Sequence, residues 1–129
     1  PFAQAEHLAR LCQLARKTCN LGVVCYSGWT RKELQNHSDR SVQALLAQVD
    51  ILIDGPFVQQ QAAPLLWRGS LNQTIHLLTD RYQTDILNHP PHMEIQVGPE
   101  ESILLGMSNP KIECLFQALE KRGIFLGRS

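Results

Sequence analysis

Two polar segments carry the side chains of this chain that are best suited to chemistry. Asp54 ends the apolar run Ile51-Leu52-Ile53 and is followed by Gly55, and a polar stretch covers residues 68–73. A carboxylate such as Asp54 can accept hydrogen bonds from ribose hydroxyls or pair with an ammonium group. A guanidinium close to a glycine and to amide side chains can bind a carboxylate or phosphate group. Both segments could instead form ordinary turns, in which Asp54 bonds its own backbone.

Two predicted strands would position the first of these groups. The run that ends at Asp54 has the length and the flanking Asp-Gly of a parallel strand buried on both faces. A second strand over 21–26 ends at Tyr26 and is closed by Ser27 and Gly28. Ligands bind at the carboxyl ends of parallel strands, so Tyr26, Ser27 and Asp54 should face one opening. Ser27 could donate a hydrogen bond there or only cap its turn.

The surrounding pattern predicts an α/β fold. Helices are expected over 3–18, at a capping box formed by Thr30 and Glu33, and over 41–48, in alternation with strands over 21–26 and 50–53. This order is typical of a parallel sheet with right-handed crossovers. Residues 55–69 read as a long loop, and 75–87 as mixed, with a helical bias after Asp80.

The last third predicts a hairpin and a helix. The pair Pro90-Pro91 is a break, since each proline removes a donor and restricts the residue before it. Alternating residues at 93–97 and 102–107 predict a β-hairpin, and an apolar stripe predicts a terminal helix over 111–122, opened by Asn109 and Pro110.

Composition limits the function classes. The chain has 129 residues, 43% hydrophobic and 19% charged, with 12 basic and 12 acidic side chains. This is ordinary for one globular domain. Basic residues are not clustered, so a nucleic-acid partner is not expected. The apolar runs are too short for a membrane-spanning helix.

The cysteines do not predict a metal centre. Cys12, Cys19, Cys25 and Cys114 have neither the density nor the spacing of a disulfide scaffold, so free structural thiols in a reducing cytosol are predicted. Cys12 and Cys19 would lie about 10 Å apart along one helix, too far for one small metal site without other ligands. The histidine pair His89 and His92 reads as inert loop residues, and His76 as a partly buried side chain rather than a base.

The two polar segments resemble a known enzyme family. Asp54-Gly55-Pro56-Phe57 followed by Arg68-Gly69-Ser70-Leu71-Asn72-Gln73 is similar to the radical S-adenosylmethionine enzymes that activate anaerobic ribonucleotide reductase. Those enzymes typically carry Asp-Gly-Lys/Pro-Phe and then Arg-Gly-Ser-Ser-Asn-Gln. The likeness extends over 23–34 and to Pro1-Phe2. This chain departs from the family at Leu71, where a second serine is usual, and at Pro56, where many members have lysine.

The resemblance implies a fold and a set of ligands. The fold would be a partial radical S-adenosylmethionine (β/α) barrel over 1–87, followed by the hairpin and helix over 93–125, in one truncated domain that starts in mid-domain. S-adenosylmethionine would be bound by Asp54, Ser27, Tyr26, Arg68 and Asn72. The family also holds a 4Fe-4S cluster through Cys-x-x-x-Cys-x-x-Cys, a pattern this chain lacks. The resemblance gives this chain no catalytic residue and no metal ligand.

The resemblance also implies an activity and partners. Reductive cleavage of S-adenosylmethionine would generate a glycyl radical on a partner, with anaerobic ribonucleotide reductase favoured by the 68–73 match. Flavodoxin or ferredoxin would donate the electron, and the location would be cytoplasmic. This polypeptide alone should be inactive. The alternative is a non-catalytic α/β protein-interaction module derived from the same fold, which an exposed apolar patch near Phe57 and Trp67 would favour.

Overall fold

The computed structural model describes residues 1–90, 93–97, 102–106 and 110–124, with the main chain alone for 93–97 and 102–106. The helices are α1 (Ala5–Cys19), α2 (Arg31–Gln35), α3 (Arg40–Leu46) and α4 (Pro110–Glu120). The strands are β1 (Val24–Tyr26), β2 (Ile51–Asp54), β3 (Thr74–Leu77), β4 (Met93–Val97) and β5 (Ser102–Gly106). Short 3-10 turns cover Phe2–Gln4, Gln59–Gln61 and Thr84–Asn88.

The first three strands form a mixed sheet in the order β1-β2-β3. The strands β1 and β2 are parallel, with Tyr26 opposite Ile53, which confirms the predicted parallel pair. However, β3 is antiparallel to β2, with Asp54 opposite Thr74. The connection between them carries only one 3-10 turn, and an antiparallel return needs no crossover helix. The α/β class is therefore observed as a small mixed sheet, and a partial barrel is not confirmed.

The central strand β2 is buried on both faces, as its continuous apolar pattern predicted. Its residues Ile51, Leu52 and Ile53 are each 0% exposed. Leu52 belongs to a core with residues of α1, α2 and α3, whereas Ile51 and Ile53 pack with Trp67 on the other face. Adjacent strand residues point to opposite faces, so one strand serves both layers.

Helix ends follow the sequence signals. The predicted capping box is confirmed: Thr30 Oγ1 accepts from the Glu33 N–H at 3.3 Å, and Glu33 Oε2 accepts from the Thr30 N–H at 2.7 Å. The first helix is capped by Asn20, whose φ of 50° is left-handed, and the Leu21 N–H then donates to the Ala15 carbonyl at 3.1 Å. A left-handed cap is a common helix ending for asparagine.

A buried polar network fastens α1 to the sheet. Asp50, just before β2, accepts hydrogen bonds from Arg16 Nη1 at 2.5 Å, the Val23 N–H at 2.8 Å and Thr79 Oγ1 at 2.6 Å. Burial alone raises the pKa of Asp50, but these three hydrogen bonds and the Arg16 charge outweigh it and hold the pKa below its usual value. The carboxylate thus joins three segments in one ionised cluster.

The prediction of four free thiols is wrong for one pair. Cys19 and Cys114 form a disulfide, with their Cα atoms 5.8 Å apart and 95 residues between them in sequence. Helices α1 and α4 pack side by side through Ala15, Leu115 and Leu119, and this tertiary contact brings together two cysteines whose sequence spacing carries no signal. Cys12 and Cys25 remain free thiols, as predicted.

The later elements agree with the sequence in part. The segment after residue 74 is a strand and then a 3-10 turn, which matches the mixed prediction. The predicted hairpin is confirmed, since β4 and β5 pair antiparallel. Its turn at 98–101, the helix-opening Asn109 and the histidine His92 lie outside the described residues. Of the helices described, none has both the length and the apolar character of a membrane span.

Candidate functional site

The carboxyl ends of β1 and β2 meet at one edge of the sheet. The Ser27 N–H donates to the Ile53 carbonyl at 2.9 Å, and the Gly55 N–H donates to the Trp29 carbonyl at 3.3 Å. Tyr26 at this edge is 39% exposed, whereas Ser27 is buried. The structure thus brings Tyr26, Ser27 and Asp54 to one edge, which is where the parallel register was expected to place them.

The buried carboxylate of Asp54 fastens this edge to its neighbours. Its Oδ2 accepts from the Arg31 N–H, the first residue of α2, at 2.5 Å. Its Oδ1 lies 3.1 Å from His76 Nε2, without the alignment of a hydrogen bond. The carboxylate therefore bonds the main chain of another element, and not its own turn as the simpler alternative supposed. Ser27 Oγ likewise accepts from the Trp29 N–H at 2.9 Å, which is the turn-capping role.

The polar 68–73 loop packs directly against the segment that follows Asp54. Gln73 Nε2 donates to the Gly55 carbonyl at 3.1 Å, and Asn72 Nδ2 donates to the Pro56 carbonyl at 2.8 Å. The Val58 N–H donates to Ser70 Oγ at 3.2 Å. The two segments that carried the resemblance are therefore neighbours, joined by three hydrogen bonds from different residues of the loop.

Further hydrogen bonds fix the loop internally. Gln73 Oε1 accepts from the Gly69 N–H at 2.9 Å and the Ser70 N–H at 3.2 Å, and Ser70 Oγ donates to Asn72 Oδ1 at 2.7 Å. Arg68 Nη1 donates to the Gln73 carbonyl at 3.0 Å. Within the described part of the chain, the buried Arg68 Nε has no hydrogen-bond partner. The loop is thus a preformed structure.

Two glycines allow the segments to approach each other. Gly55 has a φ of 97°, in the left-handed region that side chains strain to adopt. A Cβ on Gly69 would lie 3.1 Å from Phe57 Cδ2, closer than ordinary packing allows. Phe57 itself is 55% exposed beside this contact. The glycines of both motifs are therefore required by backbone geometry and close packing.

Three residues at this edge of the sheet were not predicted to belong to the site. Gln73 lies within the polar run but is not among the predicted ligands, although its side chain makes more hydrogen bonds than any other side chain of the loop. His76 gave no signal, because only the antiparallel register, with Thr74 opposite Asp54, brings it diagonally onto the same face. Trp29, which is 41% exposed, stacks on the half-buried His37 with ring centroids 5.3 Å apart, and Trp29 borders the edge.

The described residues do not fit an iron–sulfur cluster. All four cysteines are described: Cys19 and Cys114 are bonded to each other, and the other two are separate thiols. Burial raises the pKa of Cys12 to about 11 and that of Cys25 to about 12, although cluster ligation requires thiolates. Among the described residues, no three side chains of histidine, cysteine, aspartate or glutamate converge to hold a metal ion.

Comparison with known proteins identifies the family. Residues 1–76 match the family described as 4Fe-4S single cluster domain. The chain belongs to this family. The match includes β1, β2, Asp54 and the whole 68–73 loop. In this member of the 4Fe-4S single cluster domain family, the cluster of the family's name has no ligand set among the described residues.

Curated relatives of this family member share one name. An anaerobic ribonucleoside-triphosphate reductase-activating protein of Vibrio cholerae is 42% identical over 79 residues, which cover 60% of this chain and 48% of the relative. Proteins of the same name from Haemophilus influenzae and Pasteurella multocida are 40% and 44% identical, over 55% and 42% of this chain and 44% and 34% of their own lengths. The chain spans half or less of each relative. No solved structure gives a significant match.

These relatives confirm the resemblance drawn from the two polar motifs. The identity of about 40% extends over more than half of this chain, well beyond the motifs themselves.

Proposed function

We propose that this chain is the carboxyl-terminal part of a radical S-adenosylmethionine enzyme that generates a glycyl radical on anaerobic ribonucleotide reductase. The relatives' shared name supports the activity, and the contact between the Asp54 turn and the 68–73 loop supports the site. In this proposal the chain forms one wall of the cofactor site. The 4Fe-4S cluster would be held by residues other than those described, and flavodoxin or ferredoxin in the cytoplasm would reduce it.

The proposed cofactor contacts are Asp54, Ser27, Tyr26, Arg68 and Asn72. Three of these already hold the fold together: the carboxylate of Asp54 holds α2, Ser27 caps a turn, and Asn72 holds Pro56. Their remaining donors and acceptors would meet the ribose hydroxyls and the amino-acid tail of the cofactor. Tyr26 is exposed at the edge, and Arg68 Nε is a buried donor without a partner among the described residues.

The preformed edge supports a binding role on physical grounds. Rigid side chains lose little conformational entropy when a ligand binds, and a site built on strand ends holds its geometry better than a free loop. The 68–73 loop reaches that rigidity through its hydrogen bonds to residues 55–58. The 68–73 loop would therefore already be held in position when a ligand binds.

The coding sequence upstream of Pro1 provides the first test. The proposal expects an in-frame segment that encodes three closely spaced cysteines and Gly-Gly-Glu. A start codon directly before Pro1 would contradict the proposal and favour the interaction module.

The second test measures chemistry in the protein that carries the upstream segment. After anaerobic cluster reconstitution, formation of 5′-deoxyadenosine from S-adenosylmethionine is followed with Asn72→Ala and with the exposed control Asn88→Ala. We expect Asn72→Ala, which also removes the hydrogen bond to the Pro56 carbonyl, to lower kcat/KM about tenfold and the control to leave it unchanged. Equal activity in the two variants would remove Asn72 from the site.

One observation supports the alternative function, a protein-interaction module. Phe57, Leu66 and Leu71 are each more than half exposed on the 55–73 segment. The predicted patch is only half present, however, because Trp67 is 7% exposed and its indole N–H donates to the His89 carbonyl at 2.7 Å. Capture of a partner protein by this chain, with loss of capture in Phe57→Ala and no cofactor cleavage, would support the module over the activase.

A further inference from the structure

We propose that Cys19 and Cys114 form a reversible thiol–disulfide exchange site, at which a dithiol reductant opens the bond and frees α4 from its covalent link to α1. This proposal does not depend on the proposed function. It concerns the face of the molecule formed by α1 and α4, and it assigns a role to two cysteines that the family's cluster would not explain.

The two sulfurs differ in their accessibility. Cys19 is the last residue of α1 and is 6% exposed, whereas Cys114, in α4, is only partly buried. Their Cα atoms are 5.8 Å apart, a usual separation for a bonded pair, so the helices need not move for the bond to form. A reductant can therefore reach Cys114 Sγ, and Cys19 is the leaving group.

Two cationic side chains bind the residue that follows Cys19 at the end of α1. The carbonyl oxygen of Asn20, the next residue, accepts hydrogen bonds from Arg81 Nη2 at 2.5 Å and from Lys111 Nζ at 3.2 Å. Arg81 Nη1 also donates to Asn20 Oδ1 at 3.1 Å. These cations oppose the negative end of the α1 dipole, which would otherwise disfavour a thiolate at this position. An electropositive, partly accessible setting is typical of exchangeable cysteines.

The structure already contains contacts that would stabilise the reduced state. The Thr18 carbonyl oxygen lies 3.7 Å from Cys114 Sγ and can accept from the thiol that reduction creates. Leu115 and Leu119 of α4 stay packed against Ala15 and neighbouring residues of α1 without the covalent bond. Reduction therefore leaves α4 held by this packing and by hydrogen bonds such as that from Lys111 to the Asn20 carbonyl, without the covalent link, and the helix can separate more readily while the rest of the fold remains.

The dithiol supplies all the electrons and protons that the exchange requires. A thiolate of the dithiol attacks Cys114 Sγ, the bond between the two cysteines breaks, and the electron pair leaves on Cys19 Sγ, which takes up a proton. The second thiolate of the dithiol then attacks the mixed disulfide and releases Cys114, which is protonated in turn. Two electrons and two protons pass from the dithiol to the cysteines, and the reductant becomes a disulfide.

The other two cysteines provide an internal contrast. Burial raises the pKa of Cys12 from 9.0 to about 11, which lowers its thiolate fraction at neutral pH about a hundredfold. Cys25 is buried and its pKa is raised further, to about 12. Neither cysteine has a bonded partner. Exchange should therefore be confined to Cys19 and Cys114.

The first experiment uses the 129-residue chain under native conditions. The chain is oxidised with glutathione disulfide, treated with dithiothreitol, trapped with N-ethylmaleimide and mapped by mass spectrometry. We expect label on Cys19 and Cys114 only after dithiothreitol, and faster hydrogen exchange over 110–120 in the reduced sample. Label on this pair before reduction, or opening of the bond only in denaturant, would overturn the proposal.

Single variants test which sulfur is attacked. Cys19→Ser leaves Cys114 able to form a mixed disulfide with oxidised glutathione, and Cys114→Ser leaves the buried Cys19 as the remaining member of the pair, so we expect Cys114 in the first variant to react about tenfold faster than Cys19 in the second. Cys12→Ser is the matched control and should retain the reducible bond. Equal rates in the two variants would refute the assignment. Circular dichroism checks their folding, and if either variant is unfolded, the trapping result on the unaltered chain decides the proposal.

Discussion

Replacing Asp50 with alanine tests whether one buried carboxylate holds α1 to the sheet. The side chain of Asp50 is fully buried, and it bonds Arg16, the Val23 N–H and the Thr79 hydroxyl. Alanine removes all three bonds at once. The groups left behind are a guanidinium, a main-chain N–H and a hydroxyl, each of which had its partner in this network.

The expected loss of stability depends on how well water can reach the groups that Asp50 leaves unpaired. Breaking a fully buried ion pair by removing one partner costs about 3 to 5 kcal/mol. The Arg16 side chain is 28% exposed, so water can partly replace the lost carboxylate, and we expect Asp50→Ala to lower the free energy of unfolding by about 2 to 4 kcal/mol. Asp50→Asn keeps the shape and some hydrogen bonds, and should lose about 1 to 2 kcal/mol.

The pH dependence provides an independent readout. The pKa of Asp50 is lowered in the folded state from its ordinary 3.8, so the unfolded chain binds the proton more readily. The stabilisation is therefore fully present above about pH 4 and is lost as the pH falls through the folded pKa. The difference in the free energy of unfolding between the unaltered chain and Asp50→Asn should shrink over that pH range. This pH dependence distinguishes the contribution of Asp50 from that of other carboxylates.

Urea unfolding followed by circular dichroism at pH 7 measures these differences. The control is Glu6→Gln, which removes the ion pair with Arg10 on the same helix, where both side chains are more than 60% exposed. That pair should contribute about 0.5 kcal/mol or less. If Asp50→Ala costs no more than Glu6→Gln, apolar packing holds the helix and the reasoning from burial is wrong.

Three further substitutions probe the loop, the strand and one close contact. Gln73→Ala should speed proteolysis within 55–73 severalfold with little effect on the core, because it removes three hydrogen bonds that hold the loop; unchanged cleavage would contradict this role of Gln73. Leu52→Ala should cost about 2 to 5 kcal/mol in urea unfolding, and the exposed Leu71→Ala less than about 0.5 kcal/mol. Gly22→Ala would place a Cβ 2.0 Å from the Tyr82 hydroxyl and should lower thermal stability by about 1 to 3 kcal/mol; a neutral result would mean that the ring simply turns aside.

Local signals predicted the early elements well. The capping box, the buried strand and the parallel register depend on residues close in sequence or on a run of one residue class, and all three are observed. The direction of β3 was not predictable from its pattern, because 55–73 could have led to a parallel or an antiparallel strand. The disulfide was equally hidden, since it depends on how α4 packs on α1 across 95 residues.

The difference between local sequence signals and contacts set by tertiary packing also applies to the candidate site. Motif similarity placed Asp54 and the 68–73 loop together, and the antiparallel return from β2 to β3 explains why: residues 55 and 73 flank the pair formed by Asp54 and Thr74. Partners set by tertiary register, such as His76 beside Asp54, had no counterpart in the local sequence.

The hydrogen bonds of the loop change how its polar residues should be interpreted. Asn72 and Gln73 use their amide groups to hold Gly55 and Pro56, and Asp54 uses one carboxylate oxygen to hold α2. If the edge binds the proposed cofactor, groups already engaged in this way would shape it before the ligand arrives, at no ordering cost during binding. A substitution that breaks one of these bonds would therefore affect ligand affinity through the shape of the edge as well as through a lost contact. Only conservative changes that keep the structural bond, such as Asp54→Asn with its acceptor towards the Arg31 N–H, can separate the two effects.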